Sequence, residues 1–181
     1  MRLFVALPLP AGVTEALARI QRGVPGARWV PPENMHLSLR FIGEAGGGEF
    51  EDLVEALAEV TMPPFTVELA GTGHFETKRV PTSLWARVRP SPELMRLQAK
   101  VERACQQAGF PPERRAFAPH VTLARMGPTD IGRLTAFLQR NSLFEPGPVP
   151  VEGFNLYSSH LGKGQPIYRV EVEYLFDAPM D

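Results

Sequence analysis

Cysteine is almost absent from this chain of 181 residues. Cys105 stands alone, which excludes an intramolecular disulfide and fits a reducing compartment, so a cytoplasmic location is expected. Lysine is also scarce, at 3 residues against 16 arginines, a bias that a GC-rich genome or a thermophilic origin would each produce. No apolar run is long enough to span a membrane. The opening Met1-Arg2-Leu3-Phe4-Val5-Ala6-Leu7 imitates a signal peptide, but its short apolar stretch meets Pro8 and Pro10 and reads as a buried first strand. Net charge is only −1 and the pI about 6.4, so there is no global basic field for a long polyanion. A local cluster of arginines could still hold a few phosphates. Missing too are a glycine-rich phosphate loop after a strand, a run of βαβ units and any low-complexity tract.

What is present is ordinary in bulk and specific in detail. A content of 44% hydrophobic and 22% charged residues is that of a globular protein, and the length suits one domain with a sizeable core. Pro10 can open a helix with the stripe Val13, Leu17 and Ile20, ending near Gly23. Met35 to Ile42 reads as a strand, and Gly46-Gly47-Gly48 breaks the chain before a helix carrying Leu53, Ala56, Leu57 and Val60. Ser91 is an N-cap and Pro92 a first helical residue; the stripe Leu94, Leu97, Val101, Cys105 and Ala108 runs to Gly109. Cys105 is therefore a small core residue rather than a nucleophile. A last helix, from about Thr129 to Arg140, is expected to bury Ile131, Leu134 and Leu138.

Strict alternation marks three strands: Phe65-Val67-Leu69, Leu84-Ala86-Val88, and Tyr168-Val170-Val172-Tyr174 opposed by Arg169, Glu171 and Glu173. Such strands imply antiparallel sheets with one face on helices. Pro-rich Met62-Pro63-Pro64 and Pro146-Gly147-Pro148 read as connecting loops. The fold expected is α+β: two pseudo-symmetric lobes, each an antiparallel sheet with flanking helices, around a central cleft. Residues 1–181 are read as one such two-lobed domain.

Two tetrads carry the chemistry. His36-Leu37-Ser38-Leu39 and His120-Val121-Thr122-Leu123 each read H-x-[ST]-L, lie 84 residues apart, and reach a glycine (Gly43, Gly127) seven residues after the histidine. In a strand, alternate side chains share a face, so each histidine points the same way as its hydroxyl residue. Two such strands lining one cleft would supply two imidazoles and two hydroxyls. In-line displacement at phosphorus needs a base on one side and an acid on the other, and histidine fills either role near neutral pH. Ser38 and Thr122 can donate to the non-bridging oxygens.

WVPPENMHLSLRFIGE (Trp29 to Glu44) and FAPHVTLAR (Phe117 to Arg125), with echoes in Ser83-Leu84-Trp85 and Phe154 to Ser159, resemble the two-histidine phosphoesterase superfamily. Within it the likeness is to the bacterial RNA 2′,3′-cyclic phosphodiesterases, also called 2′–5′ RNA ligases. The resemblance implies that His36 is the proton donor and His120 the acceptor, that the 3′ oxygen leaves, and that no cofactor is used. It also implies RNA 3′ ends or small cyclic nucleotides, tRNA fragments among them, as partners. From symmetry alone the two histidine roles are interchangeable. Ser38 departs from the threonine usual in the first tetrad: the hydroxyl is kept and a methyl lost.

Rival readings are a 2′–5′ ligation of tRNA halves at the same site and a non-catalytic RNA-end binding module. Binding alone does not need a matched acid–base pair. No cysteine or carboxylate accompanies both histidines at ligand spacing, so no metal site is expected. A monomer without membrane association is expected. His74 and His160 lack a repeated context and read as surface or loop residues. Arg40 shares the strand face of His36 and Ser38 and is a candidate phosphate contact. Strict alternation puts Arg125 on the core face, unless a bulge returns it to the cleft, where the resemblance implies a phosphate role. Trp85 and Tyr157 could stack on a base but read first as packing residues.

Overall fold

The computed structural model describes residues 1–177. In chain order its elements are β1 (Arg2–Leu7), α1 (Ala11–Arg19), β2 (Ala27–Trp29), β3 (Leu37–Glu44), α2 (Gly47–Ala58), β4 (Phe65–Thr77), β5 (Val80–Val88), α3 (Pro92–Gln107), β6 (His120–Met126), α4 (Ile131–Arg140), β7 (Pro148–Val151), β8 (Gly153–His160) and β9 (Ile167–Leu175). A single turn of 3-10 helix, Pro32–Asn34, precedes β3.

The strands form one antiparallel sheet in the order β7-β4-β5-β6-β3-β1-β8-β9, with β2 as a further partner of β6. Its two halves meet between β3 and β6 at one residue pair, Leu37 with Val121. Further along β6, the neighbour becomes β2, through Trp29 with Ala124 and Arg28 with Arg125. β3 and β6 therefore pair briefly and separate, which opens a cleft over the join. The helices cover the opposite face, where Leu3, Val5, Leu17, Leu53, Leu57, Leu97, Val101, Leu123 and Phe137 form the main core. Fully burying side chains of this size contributes about 1.5–3 kcal/mol each.

Local sequence explains the helix boundaries. The Ser91 hydroxyl accepts from the Leu94 amide at 3.1 Å, with Pro92 in the first turn. Asp130 caps α4 by accepting from Arg133, so this helix starts one residue beyond its cap at Ile131. The expectation that Ile131 is buried fails: it is 58% exposed, and Phe137 joins Leu134 in the core instead. Cys105 is fully buried on α3, and burial pushes its thiol up to about 11, far from any nucleophilic range.

The alternation in β9 also resolves differently from its sequence pattern. A bulge at Glu171, where β8 steps from Leu156 to Tyr157, divides the strand. Val172 and Tyr174 pack on the main core. Tyr168 instead joins Phe4, Ala6 and Tyr157 in a small second cluster, and Val170 is 53% exposed.

Candidate active site

The register around Leu37 and Val121 decides the geometry. One residue to either side in an antiparallel ladder, His36 faces Thr122 and Ser38 faces His120. Each histidine thus sits across from the other tetrad's hydroxyl, and the two histidines are diagonal neighbours on the same face. In regular sheet geometry diagonal positions are about 7–8 Å apart, a spacing that admits a phosphate between two imidazoles.

Each imidazole is oriented by the backbone two residues upstream. His120 Nδ1 lies 2.6 Å from the Ala118 carbonyl oxygen. His36 is hydrogen-bonded in the same way to the Asn34 backbone. In the neutral ring, an Nδ1–H donated to that carbonyl leaves Nε2 of His120 free as a base. Burial lowers the pKa of His36 to about 4, against a partial opposing effect from the Asn34 bond. Burial lowers His120 as well; the Ala118 bond opposes it and the nearby Arg125 guanidinium adds to it.

Aromatic rings supply the burial. His36 is enclosed by Tyr157 at 4.6 Å, Tyr168 at 5.4 Å and Phe4 at 5.8 Å between ring centroids. His120 meets the edge of Phe75 at 4.9 Å and Trp85 at 5.9 Å. Trp85 is held there by Gly73 opposite it on β4, where any Cβ would overlap the indole. Behind Trp85, at the edge of β4, lies a cavity of about 450 Å³ lined by Gly71, Gly73, Arg87 and Gln139, among others.

The fourth residue of both tetrads is bulged. In β3, Val5 pairs with Arg40 and Ala6 with Ser38, which leaves Leu39 extra. In β6, Leu84 pairs with Ala124 and Trp85 with Thr122, which leaves Leu123 extra. Each bulge inverts the alternation beyond it. Arg40 is consequently not on the face of His36 and Ser38, and the expectation that placed it there is corrected. Its guanidinium, 7% exposed, is ion-paired with Glu102 of α3 and donates to the Pro111 and Phe41 carbonyls. Burial raises the Glu102 carboxyl, but bonds from Arg40, Gln106 and the Glu113 amide outweigh that and hold it below its usual value.

The second bulge carries Arg125 the other way, out of the core and onto the face of His120, where it is exposed. Ser38 is exposed and Thr122 half-buried. Tyr157 is only 5% exposed, stacked parallel to Phe4 at 5.0 Å, with its hydroxyl 3.2 Å from the Asn155 side-chain amide; it is a wall of the His36 site rather than an open stacking surface.

Neither of the other histidines is in a loop. His74 lies in β4 with Nε2 3.6 Å from Glu76, and His160 in β8 with Nε2 2.7 Å from the Ser158 hydroxyl, which also bonds Glu171. Several site residues went unnoticed in the sequence. Phe4, Phe75 and Tyr168 looked like ordinary strand residues. Arg87, opposite His120 in the ladder, was visible only as the polar side of an alternating strand. Among the described residues no group of three or more His, Cys, Asp or Glu could hold a metal ion, and no helix is long and apolar enough to cross a membrane.

Comparison with known proteins identifies the family. The family description "LigT like Phosphoesterase" matches residues 7–85 and 88–168. The chain is 37% identical to the RNA 2′,3′-cyclic phosphodiesterase of Aeropyrum pernix over 153 residues, covering 83% of this chain and 86% of that protein. It is 32% identical to the protein of the same name from Archaeoglobus fulgidus, covering 93% and 97%. Among solved structures, a Thermus thermophilus protein superposes with a TM-score of 0.80 at 29% identity, covering 99% of this chain and 100% of that one. E. coli LigT complexed with 3′-AMP superposes with a TM-score of 0.79 at 25% identity, covering 97% of each chain. With both tetrads inside the matched segments, the chain belongs to the LigT-like phosphoesterase family.

Proposed function

We propose that this protein hydrolyses RNA 2′,3′-cyclic phosphate ends to 2′-phosphomonoesters by acid–base catalysis between His36 and His120. The observation that carries the reading is the pairing of Leu37 with Val121, which sets both tetrads side by side on one face. The names of the relatives from Aeropyrum pernix and Archaeoglobus fulgidus support the same substrate.

His120 Nε2 takes a proton from water, whose oxygen attacks phosphorus; the P–O3′ bond breaks, and protonated His36 delivers its proton to O3′. Ser38 and Thr122 donate to the non-bridging oxygens as charge builds there.

The two histidines sit in unlike surroundings. An arriving phosphate anion raises the pKa of a nearby imidazole. At His120 burial and, to a lesser degree, the Arg125 guanidinium counter that field and favour the neutral ring that accepts a proton. At His36 burial alone lowers the value, to about 4, so its service as general acid depends on the field of the bound phosphate.

Each half supplies one imidazole and one hydroxyl, so the whole chain is taken as one functional domain, and one monomer completes the site. With its lone thiol buried, it is assigned to the cytoplasm. The test is incubation with an oligoribonucleotide ending in a 2′,3′-cyclic phosphate, in the presence of EDTA. Formation of the 2′-phosphate supports the reading. No hydrolysis, a 3′-phosphate, or activity abolished by EDTA and restored by zinc or magnesium would overturn it.

A further inference from the structure

The short strand β2 adds one side chain to the cleft face. Ala27 and Trp29 turn inward and pack on the main core, while Arg28 between them points the other way and is exposed. Its cross-strand partner on β6 is Arg125, also exposed. Directly opposed residues share a face of the sheet, so the two arginine side chains start side by side. Like charges in that arrangement repel. Among the described residues no carboxylate lies within ion-pair distance of either arginine, and the neighbour of Arg125 on β5 is the neutral Ser83. Yet β2 is held firmly to β6. The Gln21 side-chain amide donates to the Val30 and Leu123 carbonyl oxygens at 2.7 and 3.0 Å, the Val30 amide donates to Leu123 at 2.9 Å, and the Gly127 amide to Gly26 at 3.0 Å. The strand is thus fixed at both ends, and the fold keeps two uncompensated cations together at a set position. An anion between them removes the repulsion and accepts charge-assisted bonds from both.

From this placement we infer that Arg28 and Arg125 form a clamp for a second phosphate of the substrate, the phosphodiester one nucleotide upstream of the cyclic end. The inference rests on the cyclic-phosphodiesterase reading, in which the reacting phosphate lies between the histidines at Ser38 and Thr122. With the bulge at Leu123 counted, Thr122 and Arg125 are two strand steps apart, opposite Trp85 and Ser83. That is about 7 Å at ordinary strand rise, a step that one nucleotide of a single strand covers. Arg125 also acts on His120, so the clamp adjoins the reacting phosphate without a gap. Contacts to the sugar–phosphate backbone carry no sequence information. The clamp therefore selects an RNA chain over a small cyclic nucleotide and leaves the base free.

The test compares wild type with Arg28→Gln and Arg28→Lys on three substrates that share the cyclic end. These are 2′,3′-cyclic AMP, which has no second phosphate, its 5′-phosphorylated form, and the dinucleotide ApA ending in a 2′,3′-cyclic phosphate. At about 50 mM salt Arg28→Gln should raise KM roughly tenfold on the last two. It should keep kcat and the thermal midpoint, and leave KM for 2′,3′-cyclic AMP unaltered. A log–log plot of kcat/KM against salt for the dinucleotide should flatten by about 0.7, the share of one phosphate contact on a single strand. Arg28→Lys keeps the charge and should keep most of the affinity. An unchanged KM on the dinucleotide would overturn the clamp. So would an equal loss on 2′,3′-cyclic AMP, which would put Arg28 at the reacting phosphate or in the fold, and so would a loss on the dinucleotide alone, which would assign it to the upstream nucleoside. Absence of hydrolysis of all three by the wild type would instead remove the activity on which the inference rests.

Discussion

The two halves of the cleft use the same tetrad, the same bulge and the same upstream carbonyl contact, yet differ in what surrounds each imidazole. His36 is enclosed by Phe4, Tyr157 and Tyr168 and is shifted by burial and the Asn34 backbone bond; His120 has Phe75 and Trp85 on one flank and Arg125 near it. Symmetric backbones place two identical groups where a reaction with two opposite proton transfers needs them. Asymmetric side chains then give them different protonation behaviour. The lesson is that the repeated motif explains position, and the unrepeated residues around it set the environment of each imidazole.

The comparison breaks first at the imidazoles. His36→Ala and His120→Ala should each reduce turnover by about 10²–10⁴-fold with the fold intact. The double variant should lose far less than the product of the two, as for groups acting in one step. Steady-state kinetics alongside circular dichroism checks this, and a folded single variant with near wild-type rate removes that histidine from the mechanism.

The hydroxyls come next. Ser38→Ala and Thr122→Ala should cost less than the roughly 10²–10³-fold typical of an oxyanion donor in a closed site, because Ser38 is exposed and water can partly substitute. Thr122→Ser and Ser38→Thr should be mild. Wild-type rates in both alanine variants would make the hydroxyls strand-packing residues.

A pair of arginines sharpens the contrast. Arg125→Gln should lower kcat/KM and raise the pKa of His120, moving the acid limb of the pH profile upward, with no loss of stability. Arg40→Leu should act on stability instead. It strips Glu102 of its partner at a cost of about 1–3 kcal/mol and lowers the thermal midpoint without changing KM. If Arg40→Leu altered the pH profile instead, the bulge at Leu39 would not isolate it from the cleft.

The smallest effect is on stability against pH. His36 has an ordinary value of 6.5 and a folded value of about 4, so between these the unfolded chain binds more protons than the folded one. Its contribution is present in full above pH 6.5 and is lost as pH falls toward 4. His36→Gln should flatten that part of a plot of thermal midpoint against pH; an unchanged slope would mean the ring is freely protonated in the folded protein.

Much of this was legible in the sequence because it depends on short-range pattern. The cap at Ser91, the stripe through Cys105, and the shared face of His36 with Ser38 follow from periodicity alone. Alternation misplaced Arg40 and left Arg125 open, for one reason. The bulges at Leu39 and Leu123 arise from pairing with β1 and β5, and a single extra residue inverts every side chain after it. The aromatic enclosure of His36 was equally hidden. Phe4, Tyr157 and Tyr168 come from three strands distant in sequence, brought together by the order β3-β1-β8-β9. Ile131 failed because α4 starts at that residue, and its side chain lies off the face that Leu134 and Phe137 bury.

The division of labour between the histidines can be read directly with a substrate whose bridging 3′ oxygen is replaced by sulfur. A thiolate leaves without help from a general acid, whereas the attacking water still needs its base. On that substrate His36→Ala should regain a rate close to wild type, while His120→Ala stays as slow as on the natural cyclic phosphate. Rescue of His120→Ala with His36→Ala still inactive would reverse the assignment and contradict the proposed roles of the two histidines.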